Sequence, residues 1–258
     1  MATPKNKSVQ KAFALLRSFR GAHEWVSNAE LSRRTGLSPA CAHRLMQTLE
    51  EIGAVARDKR GCYRPGMVLA NLSEDVAIGD LIRGTSSDLL EALGARLKAV
   101  VHVGVLNGGM VKYVAKVGEP VRVPIPSRVG TSQEAYCSAL GKTLLAGLAA
   151  QEFDDFLHDG EFVALTHRTI TTIGSLRSEI SSIHQRGYAV DNREAIANIC
   201  CIGVPIRDPA GRTVAAMSLA DAADNLCNSW EEEVSSHLLS TAQAISRKIF
   251  PLYEAVAH

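Results

Sequence analysis

Two helix-start signals, each followed by a glycine stop, make residues 27–64 the stretch that most constrains the fold. Ser27 followed by Glu30 is the pattern of a capping box, in which two side chains reciprocally satisfy backbone N–H groups. Gly36 predicts the end of this first helix, because glycine readily takes the positive φ angle of a helix C-terminus. We therefore expect a short helix and a tight turn at the start of the stretch.

A second, longer helix is predicted to start at Ser38 and Pro39 and to end at Gly53. Proline suits the first helical position, where its missing N–H breaks no hydrogen bond. An apolar stripe repeats along this helix at helical spacing, formed by Ala42, Leu45, Met46, Leu49 and Ile52. Three polar residues lie off the stripe and are expected on the outward face, namely His43, Arg44 and Gln47.

Two short strand-like pieces, 54–57 and 62–64, flank a turn at 58–61 and predict a hairpin with a basic tip. Two helices joined by a tight turn and followed by such a hairpin form a winged helix-turn-helix. This motif places one helix in the DNA major groove and the wing on the adjacent backbone. The predicted DNA-binding residues are Ser38, Ala40, His43, Arg44, Gln47, Arg57, Lys59 and Arg60.

The distribution of charge favours DNA binding over the alternative, a helical packing unit that never touches nucleic acid. Residues 1–72 contain twelve Lys and Arg against five Asp and Glu, a net charge of +7. The remaining residues contain sixteen and twenty-two, a net charge of −6. Counterion release by Lys and Arg supplies much of the affinity of proteins for nucleic acids. The basic part of the chain is the part that carries the predicted motif.

The composition predicts a water-soluble protein of one large or two ordinary domains, with 258 residues, 46% of them hydrophobic and 21% charged. We find no secretory signal pattern and no apolar run long enough to span a bilayer, so a cytoplasmic location without membrane contact is expected. None of the six cysteines forms a C-x-x-C motif, and two are adjacent in sequence. We expect reduced thiols rather than disulfides or a zinc site.

Three domain ranges are predicted. Residues 1–72 form the winged helix-turn-helix domain, which includes a first helix from Ser8 to Gly21. Phe13, Leu16 and Phe19 of this helix are expected to supply much of the core of the domain. Residues 73–98 read as a linker helix, interrupted near Gly79. This segment either pairs with a second chain or forms the first layer of the next domain, and both can hold. We favour a contact with a second chain, because a protein with one recognition helix usually dimerises to occupy two half-sites. Residues 99–258 form the second domain.

The second domain is predicted to be an α+β unit built from antiparallel hairpins with helices packed on them. The strongest turn signal is Asn107-Gly108-Gly109 between two apolar strands. A further extended piece is expected at 121–126, a helix at 138–148, a helix ending at Gly187 and a second hairpin around residues 208–211. A closing helix starts at Ser229 and stops before Pro251.

No catalytic, metal or cofactor site is predicted. Gly141-Lys142-Thr143 resembles the end of a phosphate-binding loop, but Tyr136 stands where that motif requires a glycine. The eight histidines show no metal-ligand spacing. One alternative stays open, a small-molecule hydrolase or transferase fused to a winged helix, with Cys201 or Ser138 as the nucleophile.

Three motifs in order make the chain resemble the IclR family of bacterial transcriptional regulators. Residues 43–53 match H-R-L-x-x-T-L-x-x-x-G, residues 139–146 match A-x-G-K-x-x-L-A, and residues 188–219 resemble the family's Y-x-x-D-x-E-E and G-x-x-C segments. The resemblance implies a winged helix-turn-helix, a linker helix and a GAF-like effector-binding domain, assembled as a homodimer or homotetramer. Departures are Ala40-Cys41 for a frequent Ser-Thr, Arg193 for a Glu and Asn198 for a Gly.

The resemblance places an effector pocket between the helix that starts near Ala139 and the sheet. It implies two backbone donors, Ala139 and Leu140, and a wall formed by Asp191, Ile199, Cys200, Cys201, Ser218 and Ala220. A helix N-terminus also favours an anion on electrostatic grounds, although the pattern of a capping box at 131–134 would start that helix earlier. Nearby residues expected to contribute are Arg122, Ile125 and Tyr136, and Arg122 with Arg128 suits a carboxylate.

These observations predict a ligand-responsive transcriptional regulator. We expect it to bind double-stranded DNA at an inverted-repeat operator, as a repressor or activator of a catabolic operon, in response to a small organic acid.

Overall fold

The computed structural model of the protein describes residues 6–21, 24–74, 78–120, 123–226 and 231–250. These residues form two compact units that meet in sequence between Ala77 and Ile78. The boundary lies within the range 73–98 expected for a linker, and the helix that follows it is part of the second unit. The division into three domain ranges stays a prediction.

The first unit contains four helices and two strands among its described residues. They are α1 (Lys7–Arg17), α2 (Asn28–Thr35), α3 (Pro39–Glu51), β1 (Val55–Arg57), β2 (Tyr63–Pro65) and α4 (Met67–Glu74). The predicted starts of α2 and α3 are confirmed, because Ser27 accepts a hydrogen bond from the Glu30 N–H and Ser38 accepts one from the Cys41 N–H. Gly36 ends α2 with a φ of 69°.

The helix caps also correct two details. The Glu30 carboxylate binds the guanidinium groups of Arg33 and Arg34, so the second half of the predicted capping box does not form. Asn6 rather than Ser8 caps α1, because the Asn6 side chain accepts hydrogen bonds from the N–H groups of Ser8 and Val9. Local hydrogen-bond competition decides both cases, and sequence spacing alone does not resolve it.

The core of the first unit lies where α1, α2 and α3 meet the hairpin. Fully buried members include Leu15, Leu31, Ala42, Met46 and Tyr63. The expectation that Phe13 fills this core is wrong, since Phe13 is 52% exposed and Leu15 takes the inward position. Ile52 is likewise 59% exposed, because α3 ends at Glu51 and the chain turns away through Gly53 at a φ of 75°.

The hairpin pairs β1 with β2 in antiparallel register, from Val55 opposite Pro65 to Arg57 opposite Tyr63. Val26 adds a third extended piece, because it exchanges two backbone hydrogen bonds of 2.8 Å with Tyr63. The wing is therefore attached to the segment that enters α2, and the predicted winged helix-turn-helix is the observed fold of this unit.

The second unit contains a six-stranded sheet and six helices among its described residues. They are α5 (Ile78–Leu97), β3 (Val100–Asn107), β4 (Met110–Val117), β5 (Ser132–Glu134), α6 (Ala139–Leu145), α7 (Ala150–Asp159), α8 (Ile173–Arg186), β6 (Ala189–Asn192), β7 (Ile199–Arg207), β8 (Thr213–Ala222), α9 (Ala223–Leu226) and α10 (Glu231–Ile249). Every strand pair is antiparallel, in the order β5-β4-β3-β8-β7-β6. The α+β prediction is confirmed.

The hairpin predicted around residues 107–109 is confirmed, with Asn107 opposite Met110 and φ angles of 56° and 78° at Gly108 and Gly109. The extended piece expected at 121–126 is not a strand where it is described, because 123–126 pair with no neighbour; residues 121 and 122 lie outside the described residues. The edge strand is instead β5, which includes three of the four residues of the supposed capping box at 131–134.

Alternation along the strands gives the sheet two different faces. On β7, Cys200 and Ile202 pack in a core with α5 and α10, while Cys201 and Gly203 face α6. The α6 helix is buried along its whole length and approaches the sheet closely, because a Cβ atom at Gly203 would lie 2.6 Å from the Ala139 carbonyl oxygen. This close approach positions the cavity described below.

Candidate DNA-binding surface and effector cavity

One face of α3 is open to solvent. Ser38, Ala40, Arg44 and Gln47 are exposed, and His43 is half-buried. Ala40, Arg44 and Gln47 are spaced by four and three residues, so they share one side of the helix. The predicted outward face is therefore present, although whether these side chains touch DNA stays a prediction.

The tip of the wing is a well-defined turn with two exposed cations, Lys59 and Arg60. The Asp58 carboxylate accepts hydrogen bonds from the N–H groups of Arg60 at 2.9 Å and Cys62 at 2.8 Å, and Gly61 has a φ of 82°. Arg57 is exposed as well, but its guanidinium carbon lies 5.5 Å from the centre of the Tyr63 ring. Arg57 is thus partly engaged within the wing.

An ion network that sequence reasoning missed braces the helix-turn-helix. The Arg34 guanidinium donates to the Glu24 and Glu30 carboxylates and to the Ser18 carbonyl oxygen. Hydrogen bonds from Arg34 and from the Arg20 N–H lower the pKa of Glu24 to about 2, and those from Arg33 and Arg34 lower the pKa of Glu30 to about 2. The network ties the end of α1 to α2, against which α3 packs.

The second unit contains a cavity of about 250 Å³ between the N-terminal end of α6, the sheet and two loops. Its lining residues come from β3, β4, β6, β7 and β8, from the start of α6 with its cap Ser138, and from the segments 125–133 and 195–199. They are His102, Tyr113, Ile125, Pro126, Ser127, Thr131, Ser132, Gln133, Ser138, Ala139, Leu140, Asp191, Ala195, Ile196, Ile199, Cys201, Ser218 and Ala220.

Most of the residues predicted for the effector pocket meet at this cavity. Those that line it are Ile125, Ala139, Leu140, Asp191, Ile199, Cys201, Ser218 and Ala220. Two predictions are corrected. Cys200 lies on the opposite face of β7 in the core with α5 and α10, and Tyr136 is buried elsewhere, with its hydroxyl donating to the Val163 carbonyl oxygen. Arg122 lies outside the described residues.

Several polar lining residues were not anticipated for the pocket, among them His102, Tyr113, Ser127 and Gln133. The His102 Nε2 atom lies 2.6 Å from the Ser127 Oγ atom, and the Tyr113 hydroxyl donates to the Gln133 side-chain oxygen. Burial lowers the pKa of His102 to about 3, so its imidazole is neutral near pH 7. A histidine inside an otherwise apolar strand was the available signal, because a buried polar group needs a partner.

The carboxyl group of Asp191 lies at the wall of the cavity. Its Oδ1 atom accepts hydrogen bonds from the backbone N–H groups of Glu194 at 2.7 Å and Ala195 at 3.4 Å. Burial is the main cause that raises the pKa of Asp191 to about 7, with a further rise from the Glu194 carboxylate. The donated hydrogen bonds and the Lys142 ammonium oppose that rise.

Lys142 lies behind the cavity and is 1% exposed. Its Nζ atom lies 2.6 Å from the Glu194 carboxylate and 3.3 Å from the Glu179 carboxylate, and it donates to the Val190 carbonyl oxygen at 2.5 Å. The lysine that resembles part of a phosphate loop is therefore an internal ion-pair partner that joins α6 to β6 and α8.

The start of α6 agrees with the position that the family resemblance implies. Ser138 caps the helix by accepting a hydrogen bond from the Gly141 N–H at 3.1 Å. Among the described residues no hydrogen bond engages the N–H groups of Ala139 or Leu140, both of which line the cavity. These two donors add to the hydroxyl and amide groups that a ligand would meet.

Two features are absent from those parts of the chain that the structure describes. No three side chains among His, Cys, Asp and Glu come together there as a metal site. No helix there has both the length and the apolar character that crossing a membrane requires.

Comparison with known proteins shows which family has both of these units. Residues 8–59 match the IclR helix-turn-helix domain, and residues 79–247 match the C-terminal part of the bacterial transcriptional regulator IclR. The chain is 26% identical over 247 residues to the transcriptional regulator XynR of Escherichia coli, covering 95% of this chain and 98% of XynR. It is 30% identical over 215 residues to KdgR of Escherichia coli, covering 83% and 81%.

A solved structure gives the same result at the level of the fold. The crystal structure of Thermotoga maritima IclR superposes with a TM-score of 0.63 at 33% sequence identity, covering 94% of this chain and 98% of that one. The two family matches together span both units. The chain is thus a member of the IclR family, an HTH-type transcriptional regulator with a ligand-binding C-terminal domain.

Proposed function

We propose that the protein binds an inverted-repeat operator through the exposed face of α3 and the basic wing. The observation that carries this proposal is the exposed row of Ala40, Arg44 and Gln47 on α3, together with the exposed cations Lys59 and Arg60 at the wing tip. Arginine and glutamine recognise guanine and adenine edges in the major groove, and a wing with two cations suits phosphate. Residues 1–72 carry the +7 net charge that such contacts require.

A dimeric or tetrameric assembly follows from the symmetry of such an operator, because one chain offers one recognition helix and an inverted repeat has two half-sites. The first unit leaves several large apolar side chains exposed, among them Val9 and Phe13 on α1 and Met67 and Leu72 on α4. Surfaces of this kind support self-association. DNA as the partner also implies that the protein works in the cytoplasm.

We further propose that the cavity of the second unit, as a GAF-like effector domain, binds a small organic acid. Its volume of about 250 Å³ suits a metabolite rather than a large ring system. No Lys or Arg is among its described lining residues, and Arg128 is exposed outside them. A carboxylate would therefore be held by neutral donors, such as the hydroxyl of Ser218 and the N–H groups of Ala139 and Leu140. A metabolite of this size suits the control of a catabolic operon.

The effector would act by binding one arrangement of the DNA-binding units more tightly than another, since a ligand shifts an equilibrium only through such a difference. The sign of regulation depends on which arrangement fits the operator.

The alternative of a hydrolase or transferase is disfavoured by the chemistry of its nucleophiles. Burial raises the pKa of the Cys201 thiol well above its usual range, which keeps it protonated and weakly nucleophilic. The Ser138 hydroxyl donates to the Glu134 carbonyl oxygen at 3.1 Å rather than to a base. We therefore propose that the cavity senses its ligand without converting it.

A gel shift on the DNA that flanks the encoding gene tests the proposal. We expect saturable retardation by that DNA at protein concentrations that leave a shuffled duplex free. A panel of small carboxylates at millimolar levels, each matched by its neutral amide, should raise the Tm and alter the gel shift. Absence of binding to any duplex at low salt, together with multiple turnovers of any compound, would favour the enzyme. Stabilisation by the amides alone would exclude an organic acid.

A further inference from the structure

Apart from Asp191, no described residue in the lining of the cavity carries a formal charge near pH 7. The other titratable groups there are His102, Tyr113 and Cys201. Burial raises the pKa values of Tyr113 and Cys201 and lowers that of His102, so all three are neutral. An organic acid that enters meets one carboxyl group and no cation among these residues. Two carboxylates in contact inside a protein repel each other strongly.

Asp191 is placed to face a ligand. It is 2% exposed, and its Oδ1 atom is occupied by the N–H groups of Glu194 and Ala195. No hydrogen bond from the described residues reaches its Oδ2 atom, and the same holds for the Ser218 hydroxyl, which lines the same cavity. A polar atom on a cavity wall that no protein group engages indicates a position where a ligand or water completes the hydrogen bonds.

The charges around Asp191 are balanced by other partners. The Glu194 carboxylate and the Lys142 ammonium are the charged groups that act on it, and these two are paired with each other at 2.6 Å. Cys201 on β7 lies directly opposite Asp191 in the sheet and is a neutral thiol. The Cys137 thiol also interacts electrostatically with Asp191. It is neutral as well, because burial raises its pKa to about 12.

We propose that an organic acid and one proton bind to the cavity together, with Asp191 holding the proton and donating it as a hydrogen bond to the acid's carboxylate. No covalent bond changes in this step. One proton is taken from solution, and the bound pair of carboxyl groups shares a single negative charge, as coupled carboxyl pairs do elsewhere. The inference rests on the proposed function, because it assumes that the effector is an acid.

The pKa of about 7 for Asp191 sets the pH range of the effect. Below this value the carboxyl group already carries its proton, so the affinity for an acid is independent of pH. Above it the proton must be taken up on binding, and the affinity falls by as much as about tenfold for each pH unit. Between pH 6 and pH 8 we expect the affinity for an acid to fall about tenfold, and the affinity for a neutral ligand to stay unchanged.

Calorimetry on the full-length protein tests this directly. The probes are glycolate, lactate, pyruvate and benzoate, with lactamide and benzamide as neutral matches. Titrations at pH 8 in phosphate and in Tris, two buffers with different heats of ionisation, give the number of protons taken up. We expect close to one proton for every acid that binds, none for the amides, and tighter binding of the acids at pH 6.

Two variants separate Asp191 from a general pH effect. Asp191→Asn keeps an oxygen for the N–H groups of Glu194 and Ala195 and offers an N–H donor to the acid. It should therefore bind the acid at pH 8 about as tightly as the unchanged protein does at pH 6. Glu161→Gln removes an exposed carboxylate as the control and should leave proton uptake unchanged.

The calorimetric results distinguish failure of the inference from failure of the proposed function. Acids that bind without proton uptake would overturn the inference and leave the proposed regulator intact. If no acid binds at either pH, the organic-acid proposal falls and the inference falls with it, while DNA binding is judged separately by the gel shift. Should Asp191→Asn fail to fold, the proton count on the unchanged protein decides alone.

Discussion

His102 on β3 and Lys116 on β4 lie opposite each other on neighbouring antiparallel strands, and both contact the same segment of the cavity wall. The His102 Nε2 atom lies 2.6 Å from the Ser127 Oγ atom. The Lys116 ammonium donates to the carbonyl oxygens of Ile125 at 2.9 Å and Ser127 at 2.8 Å. Residues 123–128 pair with no strand, so these side chains attach residues 125–127 to the sheet, whereas backbone hydrogen bonds to Tyr113 hold the following residues Gly130 and Thr131.

We expect Lys116→Met to loosen this segment. Loss of two hydrogen bonds from a charged donor should accelerate hydrogen exchange in the peptide 123–131 by about tenfold or more, measured by mass spectrometry. Lys112→Met on the same strand is the control, since Lys112 is exposed on β4 and the segment is not attached to it. Equal acceleration in both variants would mean that Lys116 acts only through general stability.

Lys142→Met should lower the free energy of unfolding by roughly 3–5 kcal/mol, because it leaves the Glu194 carboxylate buried without its cation. Burial already raises the pKa of Glu194, and removal of the ammonium raises it further. Protonation then restores a neutral group, so the loss should be smaller at pH 5.5 than at pH 8.

The double variant Lys142→Met with Glu194→Gln provides the control for this pair. With both charges of the pair removed, it should recover part of the stability in urea denaturation. Its remaining loss relative to the unchanged protein should depend less on pH than the loss of Lys142→Met does. A loss from Lys142→Met that is the same at both pH values would contradict the role given to Glu194.

Gly203→Ala should destabilise the second unit by about 1–3 kcal/mol, because overpacking forces neighbouring backbone apart. The added Cβ would lie 2.6 Å from the Ala139 carbonyl oxygen. Gly174→Ala in α8 is the matched control, since nothing lies within 4 Å of its added Cβ and alanine favours a helix. Thermal unfolding should show a lower Tm only for Gly203→Ala. A shift of the same size for both would argue against a tight contact at α6.

Arg44→Ala should weaken binding to the operator by about 1–3 kcal/mol if the guanidinium recognises a guanine edge, and should weaken binding to random DNA much less. Fluorescence anisotropy with both duplexes measures the difference. Equal losses on the two duplexes would indicate that Arg44 contacts phosphate only.

Replacement of Lys59 and Arg60 by alanine should weaken binding to operator and random DNA alike. Two lost phosphate contacts would reduce the slope of log affinity against log salt by about two. The wing turn itself depends on Asp58 and Gly61, so the fold should be unaffected. An unchanged salt slope would remove the wing from the DNA interface.

Sequence patterns predicted the helix-turn-helix well because its signals are local. A serine cap, a proline at the first helical position and a glycine with positive φ each act within four residues, and all three are found at α2 and α3. The same reasoning failed for Phe13, since periodicity fixes a helix but not which side of it meets α3.

The cavity was predicted in part, because the position of a residue within a family motif indicates which strand it belongs to. Asp191, Cys201 and Ser218 share a face through strand alternation, and Cys200 was misplaced because adjacent residues of a strand face opposite ways. His102 and Ser127 meet across 25 residues of chain, and Lys142 meets Glu194 across 52. Pairings at such separation arise from tertiary packing, which no local pattern encodes.

The strict alternation along β7 has a consequence for how ligand preference can change. An insertion or deletion of one residue ahead of the strand would exchange its two faces, turning Cys200 and Ile202 toward the ligand and Cys201 into the opposite core. The wall formed by residues 125–127 carries no such register, since side chains rather than ladder bonds attach it. New specificities should therefore accumulate as length changes in that wall, and as single replacements in the strands.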